Sequence, residues 1–375
     1  MFALNFFKRV ISKSTATTQK QLIRKMSEEI PKMQKAAVFE EIGGPITIKE
    51  IPVPECGPGD ILVKILYSGV CHTDLHVWLG DFPVETKCPL VGGHEGAGVV
   101  VKAGANVTNF KVGDYAGIKW INSTCLACEQ CKRGFETTCT LAVNSGLGVN
   151  GTFQQYCIGK ATEAAPLPKD IDLAKAAPIL CAGVTVYKAL RESNVYSGQI
   201  VAITGAGGGL GSLAIQYAKA MGLRVMAIDM AEKEEHCKKL GAEFFVDPIK
   251  AGDNLIKTIK DLTDGGPHAV INIATSDKPI AQACEYVRTK GTVVLVSLPK
   301  DGKVNADVFW MVFRAITIKG SYVGTRQDAD EALDFLKRGL IDFPYEILPL
   351  EALPSVYDRM RKGQISGRVV LDLWK

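Results

Sequence analysis

Apolar residues in the first half of the chain come in short runs cut by glycine and proline. Ile61-Leu62-Val63-Lys64-Ile65-Leu66-Tyr67 and Gly98-Val99-Val100-Val101 read as strands, and Cys56-Gly57-Pro58-Gly59-Asp60 reads as a turn. From Ala36 to about Val112 the pattern predicts a compact, mainly β unit with loops between its strands. At Gln199 the period changes. Ile200-Val201-Ala202-Ile203-Thr204 is a short, fully apolar strand, and the glycine-rich run 205–211 follows it directly. Leu210, Leu213, Ala214, Tyr217, Ala218 and Met221 then recur on one face of a helix. A second strand, Val225-Met226-Ala227-Ile228, ends on Asp229. Further strands at 244–246, 269–271, 292–296 and 316–318 keep the spacing of strand–helix–strand units. Six parallel strands with intervening helices predict a doubly wound sheet of the α/β class. The residues beyond Gly320 are too few for a third domain and are expected to return to the first.

Composition changes this picture at one end only. The 375 residues are 47% hydrophobic and 22% charged, enough for two ordinary domains with a sizeable core. No apolar run approaches the roughly 18 residues of a membrane span. The net charge of +4 is misleading, because six basic side chains and no acid lie within residues 1–27. Setting those six aside leaves 38 basic groups against 40 acidic, so a nucleic-acid footprint is not indicated. Residues 1–26 are basic, acid-free and rich in Ser and Thr, with Phe2, Leu4, Phe6, Phe7 and Val10 near the start. That is the pattern of a mitochondrial import sequence, so the mature protein is expected in the matrix. Met26 is available as an internal start, which would give a cytosolic form.

The candidate chemistry begins with cysteine. Cys125, Cys128, Cys131 and Cys139 follow the spacing C-x2-C-x2-C-x7-C. Four thiolates this close can complete a tetrahedral S4 zinc site without help from the rest of the chain. An iron–sulfur cluster is the rival, but the bacterial ferredoxin pattern has a closer fourth cysteine followed by proline, and Thr140 stands here. Charged Glu129, Lys132, Arg133 and Glu136 between the ligands describe a surface lobe held in shape by a structural metal. Upstream, Cys71-His72-Thr73-Asp74-Leu75-His76 and Gly92-Gly93-His94-Glu95-Gly96 place soft sulfur and nitrogen donors beside a hydroxyl and carboxylates. Two or three such ligands with a position left open would make a catalytic zinc. Five cysteines (Cys56, Cys88, Cys157, Cys237 and Cys284) remain without an evident scheme, as in a reducing compartment.

The glycine run is the second chemical signal. Small residues at a strand–helix turn let the backbone approach a pyrophosphate, which then sits on the helix N-terminus. Asp229 can take both ribose hydroxyls, and its charge would repel a 2′-phosphate, which favours NAD over NADP. Read as Ala206, Gly208 and Gly211, the fingerprint has alanine in its first glycine position.

Together these motifs, in this order, resemble the zinc-dependent medium-chain alcohol dehydrogenases from about residue 33 to the C-terminus. Cys71-His72-Thr73-Asp74-Leu75-His76, Val91-Gly92-Gly93-His94-Glu95-Gly96-Ala97-Gly98 and Gly207-Gly208-Gly209-Leu210-Gly211-Ser212 look most like the yeast-type tetrameric group. The resemblance implies a GroES-like catalytic domain at 27–183, a Rossmann coenzyme domain at 184–319 and a C-terminal return at 320–375. It implies Cys71, His94 and Cys181 as catalytic zinc ligands, with Glu95 able to enter the coordination shell, and Asp74 as the carboxylate orienting His94. It implies a proton relay through Thr73 and His76. For the coenzyme it implies His72, Gly208, Gly209, Leu210, Gly211, Asp229, Lys233, Val296, Leu298, Ser321, Val323 and Arg368, with Thr73 and His76 also at the ribose. Lys233 follows a loop one residue shorter than the family's, and Leu298 replaces a methionine of similar volume. Phe82 and Trp120 match bulky pocket positions, which would confine the site to short primary alcohols such as ethanol. A homotetramer with two zinc ions per subunit completes the expectation. The competing classes are a sensor that has lost catalysis, an interaction protein built on the zinc lobe, and a dehydrogenase of larger alcohols.

Overall fold

The computed structural model describes residues 30–299, 302–365 and 367–375. The proposed import sequence at 1–26 lies outside the described residues. In the N-terminal unit the central strand Asp60–Val70 pairs antiparallel with Glu95–Ala103 and with Tyr156–Lys160. Its remaining edge takes Arg368–Asp372, in the register Val369 to Val70 and Asp372 to Tyr67. The C-terminal segment therefore does return to the first sheet, and it carries Arg368 with it. A smaller sheet of Met33–Phe39, Ile46–Pro52 and Leu90–Val91 closes one side.

The second sheet has six parallel strands. In spatial order they are Phe244–Val246, Arg224–Ile228, Ile200–Thr204, Ala269–Asn272, Thr292–Leu295 and Thr317–Gly320. Numbered along the chain this order is 3-2-1-4-5-6, the doubly wound arrangement. The switch point lies between Ile200–Thr204 and Ala269–Asn272, where a ligand crevice opens at the strands' C-terminal ends.

Between the two sheets runs a buried helical segment made of Leu173–Pro178, a π-turn at Ile179–Gly183, and Val184–Glu192. It is long and apolar enough to cross a membrane, with mean hydropathy 1.3, contrary to the expectation that no run approaches that length. The protein itself covers 94% of it, so it is a core helix. One hydrophobic core runs continuously from Ala97 and Leu180 to Ile203 and Val294.

Candidate active site

Strand Asp60–Val70 delivers the chain to Cys71, the N-cap of helix His72–Leu79. The sequence pattern predicts loop here; the structure winds it into two helical turns. Asp74 stands at the third helical position, and its Oδ2 accepts the Cys71 N–H at 2.9 Å, one half of a capping box. Its other oxygen, Oδ1, accepts from His94 Nδ1 at 2.7 Å, with both side chains buried. One carboxylate thus starts the helix and orients an imidazole 20 residues away. With its hydrogen on Nδ1, His94 presents Nε2 to Cys181, whose sulfur lies 3.1 Å away. Gly93 turns the chain into this position at φ +94, where any side chain would strike Thr152 and Phe153.

The donor atoms of Cys71, His94, Glu95 and Cys181 all lie within 4.8 Å of one another, fully buried. Zinc–sulfur bonds of about 2.3 Å put neighbouring tetrahedral ligands roughly 3.8 Å apart, so this set fits one zinc ion. A hydrogen bond with Cys181 pulls the Cys71 thiol well below its usual range, and Cys71 pushes Cys181 well above it. A dication entering the site would displace the protons these donors still carry.

Glu95 is held differently from the other three. Nη2 of Arg368 donates to both of its oxygens, at 2.6 and 2.8 Å. Gly69 lies opposite and makes the room, since a Cβ there would sit 2.0 Å from the carboxylate. Burial pushes the Glu95 carboxyl up to about 7 while Arg368 pulls it back. Against the same burial, Glu95 raises the Arg368 guanidinium. Two short hydrogen bonds from one guanidinium nitrogen are the geometry of an ion pair.

The second cluster is Cys125, Cys128, Cys131 and Cys139, whose sulfurs also lie within 4.8 Å of one another. Cys125 stands 3.9 Å from Cys131 and 3.6 Å from Cys139, close to the tetrahedral edge length. All eleven cysteines are free thiols. The lobe is exposed at Glu129 and Arg133, which pair at 3.0 Å, but Glu136 corrects the reading of a wholly surface segment. It is buried, and its Oε1 accepts from Arg326 N at 2.7 Å and Nε at 3.2 Å. The lobe is thereby tied to the chain just after Ser321 and Val323.

At the glycine turn, Gly205 takes the left-handed conformation, φ +67, one residue before the fingerprint's first position. Ala206 can therefore be alanine, its methyl buried in the core. Gly211 is required because a Cβ would lie 2.3 Å from the Gly205 carbonyl. Over Gly208 the space is open, with nothing nearer than 3.4 Å. Helix Gly209–Ala220 starts there, and Arg368 packs beside Gly209. The Nε of Arg368 is buried with no hydrogen-bond partner among the described residues, as is the Ser321 hydroxyl. The unmet Arg368 donor beside a helix N-terminus fits a dinucleotide. Asp229 Oδ2 accepts from Gly207 N at 2.7 Å, and Lys233 packs over Gly207. Burial holds His72, near Arg368, below its usual range and so neutral at pH 7.

Trp120 meets the His94 ring edge-on at 5.0 Å and shares a hydrophobic cluster with Phe82 and Val323. Val323 holds φ +40, a strained conformation for a β-branched residue and one met at functional sites. Tyr322, which sequence reasoning missed, accepts a 2.6 Å hydrogen bond from Trp120 Nε1. Val296 packs at the end of its strand, hydrogen-bonded to the Asn272 carbonyl at 3.1 Å. Leu298 is 69% exposed and stands outside the Trp120 cluster.

Two family models match the chain: "Alcohol dehydrogenase GroES-like domain" over residues 57–169 and "Zinc-binding dehydrogenase" over residues 209–338. Alcohol dehydrogenase 1 of Caenorhabditis elegans is 56% identical over 347 residues, covering 92% of this chain and 99% of its own. Alcohol dehydrogenase 1 of Neurospora crassa is 55% identical over 350 residues, with the same two shares. Among solved structures, the alcohol dehydrogenase of Aeropyrum pernix superposes with TM-score 0.82 at 29% identity, covering 90% of this chain and 100% of that one. Acetophenone reductase of Geotrichum candidum, in complex with NAD, gives 0.80 at 29% identity, covering 92% and 99%. By these matches and by the two cysteine-containing metal sites, the chain belongs to the zinc-dependent medium-chain alcohol dehydrogenases.

Proposed function

We propose that the protein is an NAD-dependent alcohol dehydrogenase whose preferred substrates are short primary alcohols, ethanol first, with acetaldehyde in the reverse direction. The observation that carries the reading is the wall over the His94 site, where Trp120 is pinned by Tyr322 and packed with Phe82 and Val323. A pocket floored by fixed aromatic rings excludes bulky alcohols by overlap rather than by lost attraction. Bound zinc would supply the Lewis acid and bound NAD the hydride acceptor. Cys71, His94 and Cys181 would hold the metal, with Asp74 fixing the imidazole. Thr73 and His76 lie three residues apart on helix His72–Leu79, hence on one face. Thr73, whose hydroxyl would accept the alcohol proton as it gives up its own, and His76, whose imidazole would take a proton up, would carry the proton away from the site. Arg368 and the N-terminus of helix Gly209–Ala220 would hold the pyrophosphate, and Asp229 the adenosine ribose.

The test is NADH formation across a series of primary alcohols from ethanol to hexanol, with benzyl alcohol, before and after zinc chelation. Chelator-sensitive turnover, highest for ethanol and falling with chain length, is expected. Preference for hexanol or benzyl alcohol would sink the substrate assignment while leaving the metal chemistry standing.

The reading extends to self-association, in the homotetramer that the resemblance implies. Helix Val308–Phe313 reads Val-Phe-Trp-Met-Val-Phe, and five of its six side chains are exposed, Val312 by 76%. It adjoins Thr317–Gly320, the edge strand of the parallel sheet. An apolar face beside an open sheet edge suits a second copy meeting it about a two-fold axis. Light scattering should give four chains for the parent and fewer for Phe309→Glu with Val312→Glu; an unchanged mass would remove this helix from the interface.

A further inference from the structure

The proton relay has a neighbour that the family motif does not supply. Helix His72–Leu79 ends at Gly80, which takes the left-handed conformation, φ 73 and ψ 27. Gly80 N–H bonds to the Val77 carbonyl at 3.2 Å and Asp81 N–H to the His76 carbonyl at 3.0 Å. These are the two hydrogen bonds of a Schellman motif, which brings the residue after the glycine back against the one five positions earlier. In most such turns that contact is apolar. Here it joins a carboxylate to an imidazole: Asp81 Oδ2 lies 2.8 Å from His76 Nδ1. The helix C-cap therefore fixes Asp81 against the one ring the relay depends on. Phe82 follows immediately and packs tilted against the same ring at 5.9 Å.

We propose that Asp81 is a positioning residue for proton transfer, holding His76 in the Nδ1–H form with Nε2 free to accept the proton. The inference rests on the relay reading of His76 given above. An ionised carboxylate accepts hydrogen bonds and cannot donate, so the hydrogen between the pair belongs to Nδ1. When the relay delivers a proton to Nε2, the ring becomes an imidazolium that keeps its Nδ1–H on Asp81. Loss of one proton from Nε2 to water then restores the neutral ring, and Asp81 stays ionised throughout. The partly exposed pair, with side chains 39% and 30% accessible, leaves a path to solvent for that last step.

The test uses the intact zinc-loaded enzyme with ethanol and NAD, and four variants: His76→Gln, Asp81→Asn, Asp81→Leu and Asp81→Asn in the His76→Gln background. Asp81→Asn should lower kcat about tenfold, as loss of an orienting partner commonly does, with KM for NAD and NADH binding changed less than twofold. Asp81→Leu restores the turn's usual apolar contact, so it should fold and lose at least as much turnover. In the His76→Gln background Asp81→Asn should change kcat less than twofold, because it acts only through that ring. Equal kcat for parent and both single Asp81 variants, or losses that multiply with that of His76→Gln, would overturn the proposal and leave a helix-capping ion pair. A His76→Gln enzyme with full turnover would instead remove the relay itself, and the role of Asp81 with it.

Discussion

Cys181→Ala should leave a folded protein with one zinc ion per chain instead of two and turnover reduced at least about a thousandfold. A Lewis acid at the reacting oxygen is worth several kcal/mol, and each 1.36 kcal/mol is a factor of ten in rate. The substitution takes away one of three soft donors and shortens a side chain inside the π-turn Ile179–Gly183. His94 keeps its bond to Asp74, and Cys71 keeps its place as helix N-cap. No buried group of opposite charge is stranded, so the fold should hold; removing His94 instead would leave Oδ1 of buried Asp74 without its partner. The four-cysteine lobe has no ligand in common with this site and should retain its zinc. Metal analysis, NADH binding and ethanol turnover are the three readouts. Two zinc ions retained, or turnover within tenfold of the parent, would place the catalytic metal on other ligands.

Much of this site was legible in the chain because local chemistry wrote it there. Four cysteines within one short segment need no tertiary knowledge to close on a metal. The change from short β-runs to strand, glycines and helix marked the coenzyme fold, and the six parallel strands follow those positions. What stayed hidden depends on backbone turns and on distant packing. Helix His72–Leu79 has only Asp74, Leu75 and Val77 buried, too few for a periodic apolar face to announce it. Asp81 gains its meaning only when Gly80 folds the chain back on His76. Glu136 looked like one more surface charge of a charged lobe, yet its partner Arg326 is 190 residues away. Tyr322 joins the wall beside His94 only through its bond to Trp120, across 202 residues. At the glycine turn the departure from the fingerprint is explained by Gly205, which takes the strained angle one position early and frees Ala206 from that duty.

Asp229→Asn should raise the ratio of kcat/KM with NADP to that with NAD by about thirty- to a hundredfold. A unit charge about 4 Å from another at an effective dielectric near 20 is worth roughly 4 kcal/mol. Asp229 is only partly buried, so screening takes this nearer 1 kcal/mol, roughly a three- to tenfold share of that range. Part of the change should come from NAD itself, since a neutral amide holds the ribose hydroxyls less firmly than a carboxylate, at a cost of about tenfold. The rest should come from relief of repulsion with the 2′-phosphate. Asparagine is the informative choice because of what Asp229 already does in the turn. Its oxygens accept from Gly207 N and Met230 N, both at 2.7 Å, which ties the glycine turn to the end of the second strand. An asparagine oxygen can keep the first of these, so the turn should survive with a slightly lower melting temperature; glycine or alanine would release both and confuse charge with shape. Should the ratio stay at its parental value while NAD affinity falls, Asp229 would be a turn-holding residue, and the discrimination between coenzymes would have to lie with other groups around the adenosine ribose, Lys233 first among them.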